Sequence, residues 1–382
     1  MRKAMIEERS ARGVRISPFY AAEIAREAAR LALSGREVIP MHFGQPTLGP
    51  PQCVVEAAHR AMNTGVGYWE SDALRARIAR HYQETYGLAV AEERILLTSG
   101  ASAGLVAIFT AVFAPADRIA VARPGYPAYR NTLQALGRTA VEIDTASDTG
   151  FHLTADQIGS EAGTLHGLVV TSPANPTGAV LGLNELRAIA DICRERAIRL
   201  VSDEIYHGIS YGVDTPTALA VDPDAFVVNS FSKLYRMPGW RLGWIVVPQH
   251  CVELVHAHLI NLFLTPPALS QHAALAVFDS TNDLKGAVTT YARNRARLLA
   301  ELPAVGFANL TAPEGAFYIY ADVRRFTNDS LSFCRGLLRD TGVALTPGID
   351  FDTYHGGHYV RFSFAGSSLQ IERAIELLRM RF

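Results

Sequence analysis

Lysine is nearly absent from this chain of 382 residues, with three lysines against 33 arginines. Lys3 and Lys285 lie in ordinary polar surroundings, which leaves Lys233 as the lysine in an apolar context. Cysteine is scarce as well: Cys53, Cys193, Cys251 and Cys334 are far apart and form no Cys-x-x-Cys pair. That spacing argues against a disulfide framework or a zinc site and favours a reducing compartment. Met1 to Arg15 is charged throughout and has no apolar core, so no secretory signal is expected. No run approaches the ~20 apolar residues that span a bilayer. A cytoplasmic protein without a membrane partner is expected. The formal net charge of −1 gives no reason to expect nucleic acid either. Neither a Gly-x-x-x-x-Gly-Lys-Ser/Thr loop nor a Gly-x-Gly-x-x-Gly after a strand occurs, which argues against a P-loop or a dinucleotide domain. His355 and His358, like His256 and His258, lack a third ligand at a supporting spacing, so no metal is expected.

What is present fits an ordinary globular chain, with 49% hydrophobic and 19% charged residues, long enough for one large domain and a smaller one. Apolar runs at Ile95 to Thr98, Arg118 to Ala122, Gly167 to Thr171, Arg199 to Asp203, Ala225 to Asn229 and Leu242 to Val247 read as strands. Between them, apolar residues recur at spacings of three and four over Ala73 to Thr85, Ala101 to Phe113, Tyr126 to Ala135 and Leu183 to Glu195, which predicts helices. Such alternation predicts an α/β fold, a mostly parallel sheet with helices on both faces. From about Tyr291 the pattern changes to long helix, strand, helix, short strand at Tyr359 to Ser363, and final helix. That reads as a smaller α+β domain joined by the N-terminal segment.

Lys233 follows the apolar run Ala225 to Val228 and precedes Gly-Trp-Arg-Leu-Gly-Trp. Ser230 and Ser232 flank it, and Arg241 lies eight residues on. A desolvated amine beside two hydroxyls and a guanidinium suits a Schiff-base nucleophile for a phosphorylated aldehyde. Ligands of such sheets bind at the carboxyl ends of the strands. Asp203, the segment after Thr171 and the segment after Thr98 fall at equivalent strand ends. Taken singly, Asn175 would be a turn former and Asp203 a helix N-cap.

Taken in order, these motifs resemble the class I/II aminotransferases, pyridoxal-phosphate enzymes of fold type I. The resemblance runs from His42-Phe43-Gly44-Gln45-Pro46 through Thr98-Ser99-Gly100-Ala101-Ser102, Asn175-Pro176-Thr177-Gly178, Asp203-Glu204-Ile205-Tyr206 and Ser232-Lys233 to Tyr359-Val360-Arg361-Phe362-Ser363. It implies a large, doubly wound, mostly parallel but mixed sheet of the seven-stranded type over 45–280. A small α+β domain would be built from 1–44 and 281–382. The implied cofactor is pyridoxal 5'-phosphate, carried by Lys233, which would also move the Cα proton. Asp203 would pair with the pyridine nitrogen, and Tyr206 and Asn175 would donate to the phenolic oxygen. Arg241, Ser230, Ser232 and the backbone N–H groups of Gly100, Ala101 and Ser102 would hold the phosphate, as a helix N-terminus holds anions. Tyr126 would stack on the ring, and Tyr68 would reach the phosphate of the neighbouring subunit in a homodimer with shared sites. Arg361 would clamp the substrate α-carboxylate, because a planar fork matches it, with the Gly44 backbone close by.

The expected reaction is amino-group transfer from an L-amino acid to a 2-oxo acid by a ping-pong mechanism. A lyase or synthase on the same scaffold, eliminating a β- or γ-substituent, is the alternative, since fold and cofactor do not separate the two. A ligand-sensing regulator would need an added DNA-binding module, and neither a spare N-terminal domain nor a basic patch is seen. Ser102 stands where some subgroups carry a lysine for a distal carboxylate, which weakens an aspartate-specific reading. Ile16 and Phe19 are candidates for the side-chain pocket, and Arg15, Arg123 and Arg130 for a second carboxylate. His207 is read as pocket wall or packing.

Overall fold

A computed structural model describes residues 14, 16–63, 67–307 and 309–382. The described chain opens with helix α1 (Tyr20–Leu33), strand β1 (Ile39–Pro40), and helices α2 (Gln52–Met62) and α3 (Asp72–Tyr86). Strand β2 (Ile95–Thr98), helix α4 (Ala101–Val112), strand β3 (Arg118–Arg123), helix α5 (Pro127–Ala135) and strand β4 (Thr139–Asp144) follow. Next come α6 (Ala155–Ser160), β5 (Gly167–Thr171), α7 (Leu183–Glu195), β6 (Arg199–Asp203), β7 (Phe226–Ser230) and β8 (Gly243–Val246). The remainder holds α8 (Val252–Phe263), α9 (Ala268–Val277), α10 (Thr281–Val305), β9 (Tyr318–Asp322), α11 (Ser330–Thr341), β10 (Val343–Ala344), β11 (Thr346–Pro347), β12 (Tyr359–Ser363) and α12 (Ser368–Arg381).

Seven strands form one sheet in the order β2-β8-β7-β6-β5-β3-β4. Its strand pairs are parallel except where β8 runs antiparallel to β2 and to β7. Alternation along the central strands explains why they read as continuous apolar runs. Leu168, Leu200, Val227 and Val246 enter one buried cluster, and Val169, Val201, Val228 and Ile245 enter another. Period-two geometry puts such neighbours on opposite faces, and both faces are covered. Each fully buried Leu or Val contributes roughly 1.5–3 kcal/mol.

In the seven-stranded sheet, β4 is the strand that the apolar pattern misses, and the two-residue strands β1, β10 and β11 are too short to show in it. β4 is one edge of the sheet, and its sequence Thr-Ala-Val-Glu-Ile-Asp mixes polar with apolar residues because only Ile143 is buried. The other strands and helices given bounds from the sequence occur with ends shifted by one residue at most, β7 lying one residue later than the apolar run suggests, whereas the long helix expected from about Tyr291 already begins at Thr281. A three-stranded antiparallel sheet, β11-β12-β9, and a parallel pair, β1-β10, complete the architecture. Ile24, Ala28, Ile39 and Met41 pack in one cluster with Phe317, Ile319, Val360, Phe362 and Leu378, so the N-terminal segment shares its core with the C-terminal part. Among the described residues no helix is long and apolar enough to cross a membrane.

Candidate active site

A cavity of about 400 Å³ lies where the ends of β6 and β7 and the start of α4 face β12. Its walls include Lys233, Asp203, Tyr206, Asn175, Tyr126, Ser230, Ser232, Arg241, Ala101, Ser102, Gly44 and Arg361. His42 and Arg361, 319 positions apart, meet in this one place.

Lys233 donates from Nζ to the Gly44 carbonyl and lies 5.6 Å from the centre of the Tyr206 ring. Its amine is pushed down to about 8, chiefly by burial and then by the Arg361 and Arg241 charges, against the opposing pull of Asp203. Asp203 ends β6 fully buried. Its Oδ2 accepts from Tyr129 Oη at 2.6 Å and its Oδ1 from the Ile205 N–H at 3.2 Å. Burial raises its carboxyl to about 6, with those bonds and Lys233 pulling the other way. Keeping it ionised costs about 3 kcal/mol, which one or two buried aliphatic residues offset. Tyr129 is a contact that sequence reasoning did not find. It stands on the first turn of α5, its ring 5.4 Å from that of the N-cap residue Tyr126, and Thr171 Oγ1 donates to its hydroxyl at 2.9 Å.

Arg361 is 3% exposed and has neutral hydrogen-bond partners. Nη1 donates to Asn175 Oδ1 at 2.7 Å, and Nη2 to the His42 carbonyl at 2.9 Å and to Thr346 Oγ1 at 3.1 Å. The Tyr318 and Phe351 rings lie 4.4 and 4.8 Å from its guanidinium. Among the described residues Arg361 makes no ion pair, so it is no surface salt bridge. A buried cation with no carboxylate in ion-pair contact carries a desolvation cost that an anionic ligand would relieve.

A second cationic corner forms at the start of α4. Gly100 caps that helix at φ +83°, and no side chain caps it. The N–H groups of Ala101 and Ser102 therefore lack the carbonyl partners found deeper in a helix. A Cβ on Gly100 would collide with the Arg241 guanidinium. Arg241 has φ +50°, a left-handed geometry that costs free energy in a non-glycine residue and clusters at functional sites. Ser230 Oγ lies 2.9 Å from Ser232 Oγ and 3.1 Å from the Leu242 carbonyl. Two hydroxyls, a guanidinium and a helix N-terminus make a corner shaped for a phosphate-like anion.

Residues 36–378 match the family described as aminotransferase class I and II. The chain belongs to that family. It is 44% identical over 368 residues to a valine–pyruvate aminotransferase of Mycobacterium tuberculosis, covering 94% of this chain and 95% of the relative. A crystal structure of an aminotransferase from Mycobacterium tuberculosis superposes with a TM-score of 0.93 at 43% identity, over 96% of this chain and 97% of that one. Aspartate aminotransferase from Thermus thermophilus with maleate gives 0.90 at 29% identity, with the same coverage. These relatives are named for amino-group transfer, and the elimination alternative is not favoured. This aminotransferase moves an amino group between an amino acid and a 2-oxo acid.

Some residues singled out in the sequence lie elsewhere in this aminotransferase. Ile16 is 52% exposed and does not line the cavity, whereas Phe19, Ala21 and Ala22 do. Tyr68 is 85% exposed and away from the cavity of its own chain. Arg123 pairs with Asp144 and Glu142. Arg130 pairs with Glu142 and donates to the Asp350 carbonyl at 2.9 Å, so neither arginine reaches the cavity. Arg15 lies outside the described residues. His207 is buried beside the sheet, 2.7 Å from Tyr86 Oη, and is packing rather than cavity wall. The Gly44 carbonyl faces Lys233, and a Cβ there would strike the Tyr318 hydroxyl, so glycine is needed for that close approach. Among the described residues no group of three or more His, Cys, Asp or Glu could hold a metal.

Proposed function

We propose that this aminotransferase works with pyridoxal phosphate on Lys233 and takes an L-amino acid with an apolar side chain as donor. The observation that carries the reading is the pair of cations, Arg241 and Arg361, without ion-pair partners among the described residues, flanking a lysine whose amine titrates near 8. One corner suits a phosphate and the other a carboxylate. The bound cofactor supplies an electron sink for bonds at the substrate Cα.

Lys233 would hold the cofactor through its amine, and the same amine is placed to carry the substrate Cα proton. Asp203, ionised above about pH 6, holds a proton on the pyridine nitrogen. Asn175 spends Oδ1 on Arg361, which leaves its N–H groups to donate to the phenolic oxygen. Tyr206 Oη, 2.6 Å from Tyr318 Oη, donates to the same oxygen when Tyr318 donates to it. Tyr126 would stack on the cofactor ring, and Ser230, Ser232, Arg241 and the N–H groups opening α4 would hold its phosphate. Arg361 orients the substrate through its carboxylate. Phe19, Ala21, Ala22, Leu105 and Ile205 provide apolar wall. The described cavity offers no cation beyond Lys233, Arg241 and Arg361, which supports a monocarboxylic donor like that in the name of the valine–pyruvate relative.

The reading includes a homodimer in the cytoplasm. The exposed Tyr68 would complete the partner subunit's phosphate corner, and four free cysteines suit a reducing compartment. It also divides the chain into 45–280 and a unit of 1–44 with 281–382, a boundary supported by the shared core of α1, β1 and the C-terminal elements.

Two measurements test the cofactor corner. The apo-protein should take up pyridoxal phosphate at a rate that rises with the free-amine fraction, with a midpoint near pH 8. A midpoint near that of an ordinary lysine, roughly 10.4, would contradict the desolvated amine. Gly100→Ala should weaken cofactor binding in a spectral titration by about tenfold or more, since the new methyl displaces Arg241 and strains a positive φ. Unchanged affinity would remove Arg241 from the phosphate corner.

A further inference from the structure

The cavity wall that faces the substrate side chain includes the start of α1, and that start is not held by its own sequence. Phe19 occupies the N-cap position and offers no side-chain bond to the helix. The first two N–H groups are instead bonded by a carboxylate about 330 positions away. Tyr20 N donates to Asp350 Oδ1 and Ala21 N to Asp350 Oδ2, each at 2.8 Å.

Asp350 is 1% exposed. It follows β11, whose Thr346 bonds Arg361 and pairs with it in register. Its own carbonyl accepts from Arg130 on α5. One residue along α5, Asn131 Nδ2 reaches the Ser17 carbonyl at 3.3 Å, just ahead of α1. The start of α1 is thus tied to the strand layer that carries Arg361 and to the helix that follows Tyr126.

We propose that Asp350 is a positioning residue for the substrate side chain, holding Phe19, Ala21 and Ala22 as a fixed wall and so setting which donors the aminotransferase accepts. A two-oxygen carboxylate matches two adjacent N–H donors at a positive helix end, where charge-assisted bonds are strong. The wall residues Phe19 and Ala21 flank or carry those donors, so a shift of the helix start moves them directly. The inference rests on the reading that Arg361 binds the donor's α-carboxylate in this cavity.

The test is Asp350→Asn in the holoenzyme, with KM and kcat measured for alanine, valine and leucine. Asparagine keeps one acceptor and turns an N–H group toward the second donor. KM for valine and leucine should rise about tenfold relative to alanine, with kcat changing far less. Amide exchange at Tyr20 and Ala21 should quicken. A purely structural role would lower the active fraction, reducing kcat alike for all three donors and leaving their KM ratios untouched; that outcome overturns the proposal. Should the variant not fold, Asn131→Ala loosens the same segment from the other side and should shift the ratio in the same direction by a smaller factor. Unchanged ratios in that variant, with faster exchange before α1, would overturn it equally. Arg361→Ala separates the two readings. If it raises KM for all three donors while Asp350→Asn leaves the ratios alone, the positioning role alone falls; if it leaves KM unchanged, the site reading falls as well.

Discussion

Lys233→Ala abolishes amino-group transfer and leaves the fold intact. In the proposed function the amine is the nucleophile and the proton carrier, and among the described residues no other lysine lines the cavity. The general-base contribution alone is worth roughly 10²–10⁴-fold, so turnover should fall by at least about a thousandfold. Stability should not fall with it. The side chain makes one hydrogen bond, to the Gly44 carbonyl, and burial disfavours its charge. The linkage has a definite sign. With a folded value near 8 and an unfolded one near 10.4, the unfolded apo-protein binds more protons between those limits. The penalty is therefore full below pH 8 and is relieved as pH rises through that window. The alanine variant should lose that rise. Lys233→Arg should be equally inactive, because a guanidinium stays protonated. Steady-state rates beside thermal melts check both. Turnover within about tenfold of the parent, in a variant saturated with cofactor, would refute the assignment.

Arg361→Ala carries the second large effect. Removing one partner of a buried charged contact costs about 2–5 kcal/mol, so kcat/KM for amino-acid donors should fall roughly 10²–10³-fold. Simple amines, which have no carboxylate to clamp, should be affected far less. The same variant has a second signature in the cofactor. The Arg361 charge is among the causes that hold the Lys233 amine down, so the pH midpoint for pyridoxal phosphate uptake should move upward. An equal loss for amino acids and amines, with no movement of that midpoint, would sink the clamp.

Much of the cavity is legible in the chain because its chemistry sits at strand ends. Asp203 and Ser230 close β6 and β7, Asn175 follows β5, and Gly100 follows β2. Buried parallel strands announce themselves as short apolar runs, and the polar residue that ends each run is visible at once. Lys233 stands out further because lysine is so rare. Contacts set by tertiary distance leave no such trace. Tyr129 is one tyrosine among 14 until the turn of α5 lays its hydroxyl on Asp203. Tyr318 lies in an apolar strand, where an aromatic reads as core, although its hydroxyl meets Tyr206. Asp350 looks like a turn former in Pro-Gly-Ile-Asp until α1 folds across it. Arg123 and Arg130 are candidates for a distal carboxylate on charge alone. Glu142 and Asp144 on the edge strand β4, itself hidden by its half-exposed pattern, take up their charge instead.

The most direct test of pyridoxal phosphate chemistry on Lys233 is the absorption spectrum of the purified protein, taken with pyridoxal phosphate and then with valine. The predicted result is a yellow band that is lost on adding the amino acid and restored by pyruvate, and that never forms in Lys233→Ala. A parent protein that develops no band, or one whose band persists while ammonia accumulates, would contradict it.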